Sequence, residues 1–167
     1  MTEEKRKLTD AEAQEIAEAL GTRGKCECGV SCWATSAKRR VWIYWTEETR
    51  YSASDLDEMP GCPWCLARLL PNGWVLPEDW RERLVDLIVA AGVGARDPDG
   101  FPLYFARSIA YERPAPAMAE GCEWRASLVG LACAYGPTQD LALLALLRQS
   151  RTWTKTEPEV TTDGPNT

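Results

Sequence analysis

Two short cysteine clusters carry the densest chemistry in this chain. The first is Cys26-Glu27-Cys28, with Cys32 following shortly after, and the second is Cys62-Pro63-Trp64-Cys65. Structural Zn²⁺ takes four soft ligands in tetrahedral geometry, supplied by tight turns from two separated segments. Cys26 and Cys28 form one such turn and Cys62 and Cys65 the other, with 33 residues between them. The C-x₂-C spacing of the second pair is the usual one, while the C-x-C of the first is tighter. Cys32 can replace Cys26, which gives C-x₃-C. Gly29 lets backbone amides approach a thiolate, and Pro63 stiffens the second turn. The spacing predicts a zinc-ribbon-like module holding one structural zinc ion through Cys26, Cys28, Cys62 and Cys65. The plainer alternative is that these are ordinary buried thiols.

A third reading starts from Gly61-Cys62-Pro63-Trp64-Cys65-Leu66 and the residues after it. This stretch resembles the active-site segment of glutaredoxins, a C-P-aromatic-C opening a helix. The resemblance implies a thiol oxidoreductase with Cys62 as nucleophile and Cys65 as resolving thiol, activated by the helix N-terminus. Other chemistry is scarce. The chain has no histidine, which excludes Ser-His-Asp triads, Cys-His pairs and histidine ligands. The carboxylates Asp55, Asp57, Glu58, Asp97 and Asp99 gather in turns. Such groups are commonly solvated caps, and no EF-hand, Walker or G-x-G-x-x-G pattern accompanies them. The expectation is a protein that is not an enzyme.

Charge narrows the choice of partner. The 167-residue chain has a formal net charge of −6, and phosphate contacts supply most non-specific nucleic-acid affinity. The one basic segment, 22–50, contains the first cysteine cluster, Lys38-Arg39-Arg40, and the aromatics Trp33, Trp42, Tyr44 and Trp45. Those aromatics could form a base-stacking platform, or they fill the core of a small module. A nucleic-acid partner is therefore possible, but a protein partner presenting a basic patch suits the acidic balance better. The charged start of the chain is no signal peptide, and no apolar run reaches membrane-spanning length. Seven cysteines without an export signal point to a reducing cytoplasm, with no membrane association.

The elements that must position these residues can be read in outline. Thr9 and Glu12 form a capping box that opens a helix over 9–20, closed by Gly21. Val41 to Trp45 is β-branched and aromatic, hence a strand. Ser52 to Glu58 reads as a helical turn. Pro77 opens a helix whose apolar face carries Trp80, Leu84, Leu87, Ile88 and Ala91, and Gly92 ends it. Phe101 to Glu112 reads as a strand. Cys122, Trp124, Ala126 and Leu128 alternate with polar residues along another strand, and Leu131 to Tyr135 pairs back on it. Gly136-Pro137-Thr138 leads into a final helix that is apolar on most sides, hence buried. Single Cys122 and Cys133 read as core residues, as do Trp80 and Trp124.

The segment GCEWRASLVGLACAYGPTQDLALLALLRQ resembles the C-terminus of small tailed-phage and prophage proteins. In those a W-x-A strand passes through Gly-Pro-Thr into an Ala/Leu-rich helix. The resemblance is to the ABA-sandwich type, an antiparallel sheet flanked by helices, and Tyr51-Ser52-Ala53-Ser54-Asp55 echoes that family's helix start. It implies a mobile-element origin and no known activity. The fold expected is α+β, with a zinc-clasped N-terminal half over 1–95 and an antiparallel sheet closed by a helix over 96–150. The two are either separate or one continuous domain, and a disordered tail is expected over 151–167. The expected function is a non-enzymatic, zinc-stabilised protein-interaction protein, plausibly phage-derived, with a zinc-ribbon nucleic-acid binder and the oxidoreductase as alternatives.

Overall fold

The computed structural model describes residues 6–24, 26, 61–62, 65–103, 108–114, 121–128 and 132–155, together with the backbone of three strands at 31–34, 41–45 and 52–55. Within these the protein is α+β, with three helices and small antiparallel sheets. In chain order the elements are α1 (Asp10–Leu20), β1 (Ser31–Ala34), β2 (Val41–Trp45), β3 (Ser52–Asp55), β4 (Arg68–Leu69), β5 (Val75–Leu76), α2 (Trp80–Gly92), β6 (Ala95–Arg96), β7 (Ile109–Glu112), β8 (Trp124–Leu128), β9 (Ala132–Gly136), α3 (Gln139–Ser150) and β10 (Thr154–Lys155).

Local rules set the ends of α1. The Glu12 amide donates to Thr9 Oγ1 at 3.2 Å and the Thr9 amide to Glu12 Oε2 at 2.8 Å, so the capping box forms as expected. Gly21, at φ 70°, closes the helix. Its buried face is Ala13, Ile16 and Ala17, which packs toward α2 and β5. The second helix begins at Trp80, later than Pro77 predicts. Pro77 instead opens a turn in which the Trp80 amide donates to the Pro77 carbonyl, because the chain is still extended through Leu76 and must reverse first. Trp80, Leu84, Ile88 and Gly92 recur every fourth residue as its buried face, whereas Leu87 is exposed. In α3 the Thr138 hydroxyl caps the Leu141 amide, and Ala142, Leu143, Leu144, Leu146 and Leu147 are all buried. That burial matches the expectation from its apolar circumference.

The strands fall into four small antiparallel groups, with orders β1-β2-β3, β4-β5, β6-β10 and β7-β8-β9. Ser52–Asp55 is a strand rather than the expected helical turn. It pairs with β2 in the register Val41↔Asp55 to Tyr44↔Ser52, and the β-rich neighbour supplies hydrogen-bond partners that a lone helical turn would lack. The β8–β9 pairing runs from Trp124↔Gly136 to Leu128↔Ala132, and α3 lies across it. Along β9 the residues Ala132, Ala134 and Gly136 are buried, and Cys133 and Tyr135 alternate with them. Cys133 is thus half-buried on the opposite face, its sulfur 3.9 Å from the Tyr135 hydroxyl, and Cys122 is also half-buried. Neither is the core cysteine that its apolar surroundings suggest. Trp80 is in the core, while Trp124 is half-buried with the Arg113 guanidinium 4.3 Å over its ring.

One hydrophobic cluster runs from Leu8 to Leu147 and takes side chains from all three helices. It includes Ile16, Leu70 and Leu84 before position 95 and Leu103, Leu128 and Leu144 after it. Residues 151–155, grouped by composition with the tail, form a turn and then β10 beside β6, and Trp153 packs on the core cluster. Residues 156–167 lie outside the described residues. Arginine pairs brace the helices from outside. Glu15 on α1 accepts from Arg148 at 2.7 Å and from Arg151 at 3.0 Å, and Arg81 on α2 grips both Asp140 oxygens at 2.7 Å.

Two stability predictions follow from these contacts. The Arg148 hydrogen bond holds the Glu15 carboxyl below the ordinary glutamate range, against a smaller opposing push from burial. A depressed carboxylate stabilises the fold above its unfolded pKa and loses that contribution as pH falls through its folded pKa. Glu15→Gln should lower stability by roughly 0.5–1 kcal/mol at pH ~7, with the difference from wild type gone by pH ~2, as read by denaturant unfolding. At Gly136 an added Cβ would lie 2.5 Å from the Ala142 nitrogen and 2.7 Å from the Leu141 carbonyl carbon, both backbone atoms of α3. Gly136→Ala should therefore destabilise by roughly 1–3 kcal/mol, as a forced shift between packed backbones does.

Candidate metal centre

The β4–β5 hairpin organises the cysteine region. Leu69, Leu70, Val75 and Leu76 are buried, which anchors the hairpin in the protein interior. Its reversal runs through Pro71–Gly73, with Asn72 at φ 65° and Gly73 at φ 84°, and the Leu70 amide donates to the Trp74 carbonyl. Asn-Gly is the dipeptide that best tolerates two successive positive φ angles. Both cysteine arms are tied to this hairpin. After α1 the chain runs beside β5, with the Val75 amide donating to the Thr22 carbonyl at 3.0 Å and the Gly24 amide to the Gly73 carbonyl at 2.6 Å. Cys26 follows directly. On the other side Gly61 bridges Arg68, and the Cys62 amide donates to the Ala67 carbonyl at 2.7 Å.

This arrangement brings Cys26, Cys62 and Cys65 together, their sulfurs all within 4.8 Å of one another. A tetrahedral zinc site with Zn–S near 2.3 Å needs sulfurs about 3.8 Å apart, so only small movements separate this trio from a coordinating geometry. Cys26 is 3% exposed and Cys62 2%, while Cys65 is half-buried. The group could hold a metal ion. Of the four ligands expected, three are thus assembled, and Cys28 lies outside the described residues. Cys32, the alternative to Cys26, is placed by its backbone in β1, paired with Tyr44 of β2. Cys26 is itself in the trio, so the structure does not need Cys32 in its place.

The turn between the second pair and β4 differs from the helix that the glutaredoxin-like stretch implies. The Leu66 amide donates to the Cys62 carbonyl at 2.9 Å, Leu66 adopts φ 58°, and the chain then enters β4. A left-handed residue followed by a strand leaves no helix N-terminus beside Cys62 or Cys65. The described amides of this loop are spent within the backbone, Cys62 donating to the Ala67 carbonyl and Leu66 to the Cys62 carbonyl. Lys38, Arg39 and Arg40 lie outside the described residues, as do Asp57 and Glu58. Trp33, Trp42, Tyr44 and Trp45 are placed by backbone in β1 and β2. Asp97 accepts from the Phe101 amide at 2.8 Å in a turn, which is the capping role expected of it.

Leucine in the left-handed region costs about 1–2 kcal/mol, and glycine avoids it at a smaller entropic penalty. Leu66 is 66% exposed, so its side chain adds little packing to offset that strain. Leu66→Gly should raise stability by a few tenths to about 1 kcal/mol with the cysteine trio undisturbed, as read by thermal unfolding.

No protein-family model, curated protein or solved structure matches this chain.

Proposed function

We propose that Cys26, Cys62 and Cys65, with Cys28 as the fourth thiolate, hold one structural Zn²⁺. On this reading the protein is a non-enzymatic, zinc-stabilised interaction protein whose partner presents a basic patch. The observation that carries the proposal is the convergence of three sulfurs within 4.8 Å, from a loop after α1 and a turn before β4. Here the sulfurs come from two separate chain segments, both hydrogen-bonded at the β4–β5 hairpin, and a metal would cross-link them.

The burial of Cys62 weighs against the oxidoreductase. An attacking thiol must be reachable, and at 2% exposure the residue in the nucleophile position is not. The acidic balance likewise supports a basic protein surface over nucleic acid as the partner. A reducing cytoplasm suits a thiolate cluster, and the strand-turn-helix resemblance at the C-terminal end supports a mobile-element origin.

Metal analysis tests the proposal directly. Protein purified without chelator should carry one zinc per chain. Cys62→Ser and Cys28→Ser should each release it, whereas Cys32→Ser should retain it. Chelation should lower the unfolding midpoint sharply, because binding energy in such modules is folding energy, about 10–16 kcal/mol in zinc-finger peptides. Cys62 and Cys65 should resist alkylation until the metal is removed. Zinc-free protein whose thiols react at once would overturn the assignment.

A further inference from the structure

Beside the metal centre lies a cleft of about 380 Å³ that the zinc reading does not use. Its apolar wall is Ala67, Val75 and Pro77, its polar edge is Thr22 and Cys65, and its rim carries Glu78, Asp79 and Glu82. We propose that this cleft docks an extended basic segment of a partner protein, taking one arginine or lysine side chain into it. The inference rests on the function proposed above and names the surface through which that partner is held.

Shape and charge both favour such an occupant. Arginine and lysine bury an aliphatic stem while keeping a cationic head at a polar edge, and the cleft offers an apolar wall below an acidic rim. Asp79 is already paired with Arg83 at 2.9 Å. Glu78 and Glu82 are exposed, and among the described residues neither is in an ion pair. Glu78 precedes α2 and Glu82 lies in its first turn. The positive end of the helix dipole accounts for acids in a first turn. It does not account for a cleft that these acids share with Ala67, Val75, Pro77 and a metal-ligand candidate, Cys65. Zn²⁺ with four thiolates carries a net charge of about −2, so a loaded centre makes the Cys65 wall negative as well. A cation in the cleft then shares it with the Glu78, Asp79 and Glu82 carboxylates and with Cys65. No anionic or uncharged ligand draws on all of these groups.

The test uses the full-length, zinc-loaded protein and a capped peptide alternating arginine and lysine with alanine, alongside the same peptide with glutamate at the basic positions. Binding is read by fluorescence anisotropy at ~50 and ~200 mM salt, and localised by amide chemical-shift changes. The proposal expects the basic peptide alone to bind, more weakly at the higher salt. It also expects shift changes concentrated at Thr22, Cys65, Val75 and Glu82. The double variant E78Q/E82Q should weaken binding by about tenfold or more, and D99N/E123Q, with the same change in net charge elsewhere, should not. Both glutamates are exposed, so E78Q/E82Q should unfold at the wild-type midpoint. Zinc is quantified on every sample. Full zinc with binding indifferent to E78Q/E82Q, or with shifts spread over the whole acidic surface, overturns the cleft and leaves the metal centre standing. Glutamate-dependent binding to a zinc-free protein supports the cleft and overturns the metal reading.

Discussion

The reversal at Asn72-Gly73 is the constraint on which the rest of the candidate site depends. It folds Arg68–Leu69 onto Val75–Leu76, and the two outer edges of that pair then accept the two cysteine arms. One arm arrives from α1 through Thr22 and Gly24, and the other through Gly61 and Cys62. An isolated two-stranded hairpin is marginal in water. This one persists because its inward residues are buried and because α1 is clamped to its first strand. Arg68 donates to the Leu8 carbonyl and to Asp10, each at 2.9 Å. The same residue thus lies in β4, bridges Gly61 and holds the N-terminus of α1, coupling the cysteine turn to the main core.

How much of this was legible in the sequence depends on the range over which each element is determined. Thr9 and Glu12 act three residues apart, and that capping box is where the pattern places it. The all-round apolarity of 139–150 likewise announces burial in the centre of the molecule without any knowledge of neighbours. Elements set by tertiary pairing were less accessible. Ser52–Asp55 has the composition of a turn and becomes a strand through pairing with Val41–Trp45. Trp80 opens α2 three residues later than Pro77 suggests, because β5 reaches Leu76. The hairpin itself had a readable signal in Asn72-Gly73 between Leu69-Leu70 and Val75-Leu76. Weighting that dipeptide would have brought the second cysteine pair and β5 together in advance. Cys133 shows the reverse error. It sits among apolar residues in sequence, yet strand alternation turns it away from α3.

For the candidate site, residue type and spacing pointed to four cysteines, and Cys26, Cys62 and Cys65 do converge. Local chemistry explains that success, since soft ligands in tight turns are an economical solution that needs no long-range information beyond the meeting of two loops. The glutaredoxin-like stretch shows the limit of the same approach. Cys62-Pro63-Trp64-Cys65 is compatible with either a helix start or a metal-binding turn, and the residues that decide between them come afterward. Leu66 in the left-handed region and the Cys62–Ala67 hydrogen bond send the chain into a strand. A thiol pair ahead of a strand lacks the dipole that would activate it.

Electrostatics connects the site to the surface around it. Thiolates gathered at one point repel one another unless a cation or hydrogen-bond donors lie between them. A bound metal is one way to compensate such charge. A metal would fix both arms and pass a residual negative charge to the adjoining cleft, beside Glu78 and Glu82. Among the described cations, Arg68 is held by Leu8 and Asp10, Arg81 by Asp140 and Arg83 by Asp79, Arg23 lies over the Trp74 ring, and Lys7 shares a pocket with Glu78. Arg68, Arg81 and Arg83 hold helices and strands together, and among the described residues none of them is in an ion pair with Glu78 or Glu82. Cys65 and Asp79 each belong to the cleft and to a second set of contacts: Cys65 is in the sulfur trio and lines the cleft, and Asp79 lines the cleft while holding Arg83 at 2.9 Å.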